Sequence, residues 1–423
     1  MNRLPALLIA SLLACLPLTG LAESLDERVQ RILATTPLID GHNDLPWAYH
    51  LRVGGHLDQM PMHDDLTALP NPTHTDLPRL RAGGMGGQFW SVYVPISEYP
   101  GAPGDASRVM TQMDLVYRLI ERYPNDLELA LTAADIERIH QSGRIASLMG
   151  IEGGHAIENS LGTLRSFYRA GARYMTLTHS RGLRWADSAT DTARVDGLSP
   201  FGEEVVREMN RIGMLVDLSH VSPATMHDAL AVSRAPVIFS HSSAHTVTGH
   251  ERNVPDDVLL KVRENGGVVM VTFFASYVSE AVKTAWRDKL DQLELQIPDR
   301  SERMKAFSEW RQDSDIRATL AQVADHIDHI RNLIGASHIG LGGDYDGMPP
   351  GPVGLEDVST YPALLKELLR RGYSDEEVAG IAGGNVLRVM KQAEAVAARL
   401  QQEKPASDAL IDELDAGLPV PAD

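Results

Sequence analysis

The stretch Gly267-Val268-Val269-Met270-Val271-Thr272 is apolar at four consecutive positions. This pattern is typical of a strand covered on both faces, because neither side of such a strand meets water. Similar short runs, rich in β-branched and aromatic residues, recur along the chain. In chain order, the eight runs are Thr36–Asp40, Gln88–Val94, Ile145–Ile151, Tyr174–Thr178, Met214–Leu218, Pro236–Ser240, Gly267–Thr272 and His338–Gly342.

Helical patterns separate these runs, and this alternation is typical of parallel βα units. Phe201, Val205 and Met209, for example, recur at helical spacing within Pro200–Ile212. Eight strands alternating with helices predict an α/β fold, a single (β/α)8 TIM-type barrel, with a doubly wound open sheet as the alternative. The stretch Phe273–Ser337 is almost free of glycine and predicts a helical insertion before strand eight.

The 423-residue chain carries 57 acidic and 39 basic residues, a formal net charge of −18. A surface this acidic repels phosphate backbones and anionic lipid headgroups, so nucleic acid and membrane surfaces are not expected partners. No repeat or obvious linker divides the chain. The sequence predicts a signal peptide over residues 1–22, one barrel domain over residues 23–400 and a flexible C-terminal tail over residues 401–423.

The first 22 residues have the pattern of a secretory signal. Met1-Asn2-Arg3 gives a short basic start, Leu4–Leu18 is mostly apolar and too short to span a bilayer, and Ala22 is small. We expect export across the inner membrane, to the periplasm, with cleavage before Glu23. The alternative is a lipoprotein tether at Cys15, which the apolar residues after it disfavour. No later stretch predicts a transmembrane span.

Side chains that can bind metal or transfer protons follow six of the eight strand runs. In a barrel the C-terminal ends of the strands meet at one mouth, so we expect these side chains to share one cavity. They are His42 and Asp44, Glu152, His179, His220, His241, and Asp344. Several carboxylates so close together would repel one another unless a cation offset their charge.

Imidazole and carboxylate groups in this arrangement suit divalent ions of the zinc type. His42 and Asp44 share one face of an extended segment, because strand side chains alternate. His220 and His241 offer a second pair of imidazoles, and Glu152 is a candidate bridge. A pair of ions held in this way can activate a shared water as hydroxide.

Seven motifs with this order resemble the membrane (renal) dipeptidase family, from about Leu25 to Met390. They are Ile39-Asp40-Gly41-His42-Asn43-Asp44, Gly150-Ile151-Glu152-Gly153-Gly154-His155, Thr176-Leu177-Thr178-His179, Asp217-Leu218-Ser219-His220, Phe239-Ser240-His241-Ser242-Ser243, Arg252-Asn253-Val254-Pro255 and Gly342-Gly343-Asp344-Tyr345-Asp346-Gly347. The resemblance implies a secreted member of the metal-dependent, amidohydrolase-like barrels. Members of the family often dimerise, so a homodimer is one expected oligomeric state.

The resemblance also implies a ligand set for two zinc ions per chain. His42 and Asp44 would hold one zinc, His220 and His241 would hold the other, and Glu152 would bridge them. The chain would then be a zinc-dependent dipeptidase that hydrolyses the peptide bond through a metal-bridging hydroxide.

Three further residues receive roles from the resemblance. His179 would contact the scissile carbonyl oxygen, Arg252 would hold the free C-terminal carboxylate of a dipeptide, and Asp344 would handle protons. A planar guanidinium suits a carboxylate because it binds both oxygens. Asp346 remains a rival of Asp344, because residues two apart on an extended strand point the same way.

Two other functions remain open at this point. One is an amidohydrolase or deaminase of the same fold that acts on a non-peptide amide, and the other is a non-catalytic solute-binding barrel. Arg252 favours the dipeptidase over the first, and the set of candidate ligands disfavours the second. His326 and His329, three residues apart before strand eight, are not assigned to metal because they precede the strand rather than follow it.

Overall fold

The computed structural model describes residues 23–96 and 104–418, so the predicted signal peptide lies outside the described residues. The described part contains nine strands, all in one parallel sheet. They are β1 (Leu38–Asn43), β2 (Met85–Ser91), β3 (Leu127–Leu129), β4 (Ile145–Glu152), β5 (Ala172–Thr176), β6 (Leu215–Asp217), β7 (Ile238–Phe239), β8 (Val268–Val271) and β9 (Ile339–Leu341).

Helices connect the strands and surround the sheet. The α-helices are α1 (Leu25–Thr35), α2 (Leu45–Val53), α3 (Leu77–Ala82), α4 (Asp105–Arg122), α5 (Ala133–Gln141), α6 (Leu161–Arg169), α7 (Pro200–Ile212), α8 (Pro223–Val232), α9 (Asp256–Asn265), α10 (Ala275–Val278), α11 (Glu280–Gln296), α12 (Arg300–Asp313), α13 (Leu320–Ile334), α14 (Tyr361–Arg370), α15 (Asp375–Ala379), α16 (Asn385–Glu403) and α17 (Ile411–Leu414). Short 3-10 turns at Leu57–Gln59, Leu66–Ala68, Gly154–Ile157, Ala336–His338 and Val358–Thr360, and a π turn at Gly380–Gly384, complete the set.

Eight of the strands close into a barrel in the order β1-β2-β4-β5-β6-β7-β8-β9. Closure is completed where Asp40 on β1 pairs with Leu341 on β9, which also pairs with β8. The predicted (β/α)8 barrel is therefore confirmed, and an open doubly wound sheet is excluded because it would leave two edges. Each of the eight predicted runs overlaps one barrel strand.

β3 is an extra strand that the sequence analysis missed. Leu127–Leu129 pairs with Ile145–Ser147 at the start of β4, whereas β5 pairs with the later half of β4 from Met149 onward. The two neighbours thus share one side of β4 without overlapping. Three residues are too few to give a strand pattern in the sequence, which explains the omission.

The second strand begins earlier than predicted, at Met85 instead of Gln88. The two extra glycines of the strand, Gly86 and Gly87, precede the predicted run. A Cβ at Gly86 would lie 2.7 Å from the Cα of Pro37, and one at Gly87 would lie 3.2 Å from the Ile39 side chain. These glycines allow β2 to pack closely against β1.

The predicted helical insertion before strand eight is present, as α10 to α13 between β8 and β9. Within it, aromatic rings of α11 and α12 pack together: Trp286 lies 5.9 Å from Phe307, which stacks 5.9 Å from Trp310. These contacts hold the insertion as a folded unit beside the barrel mouth.

The C-terminal segment packs against the barrel, at least as far as the described residues extend. The carboxylate of Asp415 is buried and accepts hydrogen bonds from Ser199 Oγ at 2.7 Å and from the Phe201 amide at 2.9 Å. These bonds tie Asp415, within the predicted C-terminal tail, to the start of α7. In the described residues no helix is both long and apolar enough to cross a membrane.

Candidate metal centre and active site

The side chains predicted from the strand ends meet at the C-terminal mouth of the barrel. Three groups have one ligand atom per residue within 4.8 Å of the others. The groups are His42, Glu152 and His241; Glu152, His179 and His220; and His42, Asp44 and Asp344. All of these residues come from the predicted set, and Glu152 is shared by two of the groups.

Glu152, the last residue of β4, lies at the centre of the cluster. Its Oε1 lies 3.0 Å from Nε2 of His220, 3.5 Å from Nε2 of His42 and of His241, and 3.7 Å from Nε2 of His179. Burial opposes its charged form, but the surrounding imidazoles outweigh burial and hold the pKa of Glu152 well below its ordinary value. The cluster is therefore arranged around an ionised carboxylate.

The His42 imidazole is oriented by Tyr174, which reaches across the barrel from β5. The Tyr174 hydroxyl lies 2.8 Å from His42 Nδ1 and 3.1 Å from the Gly41 carbonyl oxygen. A hydroxyl that donates to the carbonyl can only accept from Nδ1–H. Nε2 of His42 then faces Asp44 Oδ2 at 3.3 Å and Glu152 Oε1 at 3.5 Å. A Cβ at Gly150 would lie 1.9 Å from the Tyr174 ring, so only glycine leaves room for it.

A hydroxyl also orients His241. Ser240 Oγ donates to Asp217 Oδ2 at 2.6 Å and lies 2.8 Å from His241 Nδ1, from which it accepts. Asp217 Oδ1 in turn accepts from the Ser240 and Ser219 amides at 2.8 and 3.1 Å. The Nε2 lone pair of His241 thus faces the cluster, the tautomer that metal ligation requires.

The site has the properties of a cation site. His42 Nε2 and Asp44 Oδ1 are buried and have no hydrogen-bond partner among the described residues. Burial lowers the pKa of both His220 and His241 well below the ordinary value, so these imidazoles are neutral. Imidazoles and carboxylates are the donor set that zinc-type ions prefer, so the residues present fit such ions.

Asp344 and Asp346 have different surroundings. Both have left-handed backbones, with φ of 63° and 67°, because β9 ends at Leu341 and a turn follows it. Asp344 joins the metal-ligand cluster, whereas Asp346 Oδ1 accepts from the His74 amide at 2.8 Å. This segment is a turn and not an extended strand, so side-chain alternation does not apply to it, although both residues line the same cavity.

Burial, aided by the negative charges of Asp44 and Glu152, raises the pKa of Asp344 well above its ordinary value. This shift favours the uptake of a proton by the carboxyl group. The turn that carries it is held by Asp40, whose buried carboxylate accepts from the Gly343 amide at 2.8 Å. Burial raises the pKa of Asp40 to about 6.

Arg252 is a buried cation at the mouth of the barrel. Its side chain is 1% exposed, and its guanidinium lies 3.5 Å from both Ser242 Oγ and the His241 carbonyl oxygen and 5.4 Å above the Tyr277 ring. No carboxylate pairs with it in the part of the chain that the structure describes. Burying an unpaired charge is costly, so the position favours an anionic ligand.

A cavity of about 370 Å³ joins Arg252 to the metal-ligand cluster. Its walls are Asp44, Trp47, Leu51, Tyr93, Glu152, His179, His220, His241, Arg252, Phe274, Tyr277, Asp344, Asp346 and Gly347. His179 lies between the two ends, its ring 4.4 Å from His220 and 4.9 Å from Tyr93. Burial lowers the pKa of His179, so its imidazole is neutral. The cavity volume is suitable for a small molecule.

His326 and His329 lie outside this site, as the sequence analysis expected. His326 Nδ1 accepts from the Ala244 amide and its Nε2 donates to the Val278 carbonyl, both at 3.1 Å. His329 pairs with Asp256 at 2.8 Å. Both imidazoles therefore have structural partners.

The sequence analysis missed Tyr174, Asp217, Ser240, Trp47 and Tyr93. A signal for the first three was present, since Asp217 and Ser240 are polar residues inside apolar strand runs and a buried polar side chain needs a partner. Trp47 and Tyr93 gave no comparable signal, because aromatic residues near strand ends usually belong to the core.

Comparison with known proteins agrees with this geometry. A model of the family described as membrane dipeptidase, peptidase family M19, matches residues 26–404. Dipeptidase aclJ of Aspergillus oryzae is 42% identical over 393 residues, which cover 90% of this chain and 83% of that protein. The chain belongs to the membrane dipeptidase family. It is a metal-dependent dipeptidase, a hydrolase of peptide bonds, as the sequence motifs predicted.

Solved structures show the same fold. The probable dipeptidase PvdM from Pseudomonas aeruginosa superposes with a TM-score of 0.76 at 22% identity, covering 88% of this chain and 99% of that one. A metallopeptidase from Rhodobacter sphaeroides, liganded with a phosphinate mimic of the dipeptide L-Ala-D-Ala, superposes with a TM-score of 0.68 at 25% identity. The superposition covers 85% of this chain and 99% of that one. The family, the barrel and the enzyme class are thus confirmed, whereas zinc, the two-ion count and the bridge stay predictions.

Proposed function

We propose that this dipeptidase holds two zinc ions per chain and cleaves dipeptides that carry a free C-terminal carboxylate. His42 and Asp44 would bind one ion, His220 and His241 the other, and Glu152 both. The observation that carries the proposal is the convergence of four imidazole Nε2 atoms within 3.7 Å of Glu152 Oε1. The hydroxyls of Tyr174 and Ser240 support it, because each accepts from a histidine Nδ1–H and so turns Nε2 of that ring towards the cluster.

When bound, the ions would supply a water activated at neutral pH and positive charge near the scissile bond. The protein's own groups do the rest. Arg252 would bind the substrate carboxylate at the far end of the cavity, which fixes the peptide bond over the cluster. His179 would donate an imidazole N–H to the carbonyl oxygen as negative charge develops there, a contribution of about 3–4 kcal/mol in comparable sites.

Asp344 would accept the proton from the attacking water and deliver it to the amine that leaves. Its raised pKa supports this role, because the shift makes the carboxylate a better proton acceptor than an ordinary aspartate. We assign Asp346 a structural role in the turn, since its carboxylate accepts a hydrogen bond from the His74 amide.

The test is hydrolysis of alanyl dipeptides, of either configuration at the second residue, followed by detection of the released amino acids. We expect cleavage that a chelator abolishes and added zinc restores. The matched substrates are the same dipeptides with an amidated C-terminus, which should be poor. Full activity in a metal-free preparation, or no cleavage of any dipeptide, would overturn the proposal.

We also propose that the enzyme is exported to the periplasm after cleavage before Glu23. This cleavage would remove Cys15, the single cysteine of the chain, and a protein without cysteine enters an oxidising compartment without disulfide chemistry. The N-terminal sequence of protein recovered from the periplasmic fraction tests this, and a lipid-modified Cys15 at the N-terminus would overturn it.

A further inference from the structure

A second cavity of about 700 Å³ opens beside the catalytic one. The two cavities have Phe274, Asp346 and Gly347 in common, so one wall separates them. The outer side of the second cavity is formed by the end of α12 and the segment after it, together with the loop around residues 70–74. The second cavity is large enough for a substrate side chain that extends from the catalytic cavity past this wall.

Three arginines on this second cavity have no carboxylate partner among the described residues. Arg52 donates only to the Asn71 carbonyl oxygen at 2.7 Å, and Arg317 only to the Gly351 carbonyl oxygen at 2.7 Å. Arg311 lies over the rings of Trp286 and Phe307, at 5.1 and 4.7 Å, and its Nε is buried without a hydrogen-bond partner. Stacked guanidinium groups of this kind keep their donors available for an anion.

This cluster stands out because the chain has more acidic than basic residues, 57 against 39. The fourth arginine of the cavity, Arg79, is paired with Asp76 at 2.7 Å and with Asp357 at 3.2 Å. Of the other acidic lining residues, Asp346 accepts from the His74 amide and Glu356 from the Gly354 amide, both at 2.8 Å. Asp346 Oδ2 is buried without a hydrogen-bond partner, and among the described residues none of the lining carboxylates pairs with Arg52, Arg311 or Arg317.

The shared wall lies next to the end of the catalytic cavity that would bind the substrate carboxylate. Arg252 lies over Tyr277, and the Tyr277 ring stacks on Phe274 at 4.3 Å. A dipeptide held by Arg252 therefore has its second residue nearest to Phe274. The side chain of that residue is the part of the substrate best placed to extend into the second cavity.

We propose that the second cavity is a subsite for an acidic side chain on the C-terminal residue of the dipeptide. This rests on the proposed function and adds the substrate class to it. Arg311, Arg317 and Arg52 would bind the side-chain carboxylate, while Arg252 binds the main-chain one. Because these contacts are partly open to water, we expect a preference of about fivefold to tenfold for a charged over an equally large neutral side chain.

The experiment compares kcat/KM for Ala-Glu and Ala-Gln, each with both configurations of the second residue, at low and high salt. The wild-type enzyme should favour Ala-Glu, and the preference should shrink as salt screens the charges. Arg311→Gln and Arg52→Gln, which lie on different elements, should each lower kcat/KM for Ala-Glu more than for Ala-Gln and so reduce the preference. The matched control is Arg287→Gln, since Arg287 is exposed on α11 and pairs only with its neighbour Asp288.

An enzyme that cleaves Ala-Gln as well as or better than Ala-Glu would overturn the subsite and leave the proposed function intact. An equal loss of preference in Arg287→Gln would also overturn it, because the effect would then come from overall charge. If neither dipeptide were cleaved, the proposed function would fail, and the subsite with it. If Arg311→Gln lowered kcat/KM for Glu-Ala rather than for Ala-Glu, the subsite would bind the side chain of the N-terminal residue, and its assignment to the C-terminal residue would be wrong.

Discussion

The Nε2 atoms of His220 and His241 lie 2.8 Å apart. Both atoms also face Glu152 Oε1, at 3.0 and 3.5 Å. Burial, with the nearby charge of Arg252, lowers the pKa of both imidazoles well below the ordinary value, so both rings are uncharged and do not form an ion pair with the carboxylate. Two neutral imidazoles and a carboxylate around one space are best stabilised by a divalent cation.

The hydroxyl groups behind the imidazoles lead to a prediction about metal affinity. Ser240→Ala and Tyr174→Phe each remove the group that accepts from a histidine Nδ1–H, so each should weaken metal binding by about 10–100-fold. The measurement is the dissociation constant of zinc in competition with a chelator. Tyr49→Phe is the control, because Tyr49 is equally buried and its hydroxyl donates to the Met60 carbonyl oxygen. Unchanged affinity in both variants would contradict the orienting role.

The Arg252 assignment predicts how the enzyme treats the end of its substrate. Arg252→Lys keeps the charge but loses the planar fork, so KM for dipeptides should rise by about tenfold or more, with a smaller change in kcat. Longer peptides and C-terminal amides should be poor substrates of the wild-type enzyme. Steady-state kinetics on a dipeptide and its amide decide this. Equal KM values for the two substrates would remove Arg252 from the carboxylate-binding role.

The two aspartates after β9 should respond very differently to loss of charge. Asp344→Asn removes the proton acceptor and should lower kcat by roughly 10²–10⁴-fold with little change in folding. Asp346→Asn should lower kcat much less, because the Asn side-chain oxygen can still accept a hydrogen bond from the His74 amide. The measurement is kcat together with metal content for both variants.

If Asp346→Asn is the inactive variant, the two roles must be exchanged. Asp344 also lies in one of the ligand groups, with His42 and Asp44. Loss of metal from Asp344→Asn would therefore mean that this carboxylate is a ligand rather than the proton carrier.

Most of the site residues could be predicted from the polar residues that follow the strands. The polar residue after each apolar run was enough to predict where Glu152, His220 and His241 would lie, because parallel strands in a barrel end at one mouth. Their distances to one another could not be predicted, since these depend on strand register and on partners from other strands. Tyr174 illustrates this, because its hydroxyl on β5 contacts His42 on β1, 132 residues away.

The sequence analysis failed where local conformation departs from the regular pattern. Asp344 and Asp346 adopt left-handed backbones that alternation along a strand does not anticipate. The second cavity was also beyond prediction, because Arg52 and Arg311 come from segments about 260 residues apart and gave no signal separately. Only the folded chain brings such residues together.

His326 predicts the response of stability to acid. Burial lowers its pKa to about 4, against an ordinary value of 6.5. The folded protein therefore binds this proton less tightly than the unfolded chain does. The stabilisation is complete above pH 6.5 and falls as the pH drops towards 4. The loss reaches about 3 kcal/mol of unfolding free energy, since one pH unit is worth about 1.4 kcal/mol per proton.

His326→Asn should lower the unfolding free energy at pH 7.5, because the Val278 carbonyl loses its donor, but should flatten the pH dependence between pH 6.5 and 4.5. Denaturant unfolding at several pH values provides the measurement. The exposed residue His63 supplies the control variant, His63→Asn, whose profile should match that of the wild type. An unchanged slope in His326→Asn would show that other groups cause the acid sensitivity.

The central claim is that Glu152 serves both halves of one metal centre, and metal stoichiometry tests it most directly. We expect about two zinc ions in the purified wild-type enzyme by elemental analysis. Glu152→Gln removes the shared charge and should lose both ions, whereas His42→Ala should empty mainly one half. Circular dichroism checks that both variants remain folded. A folded Glu152→Gln variant that retains two ions would contradict the account.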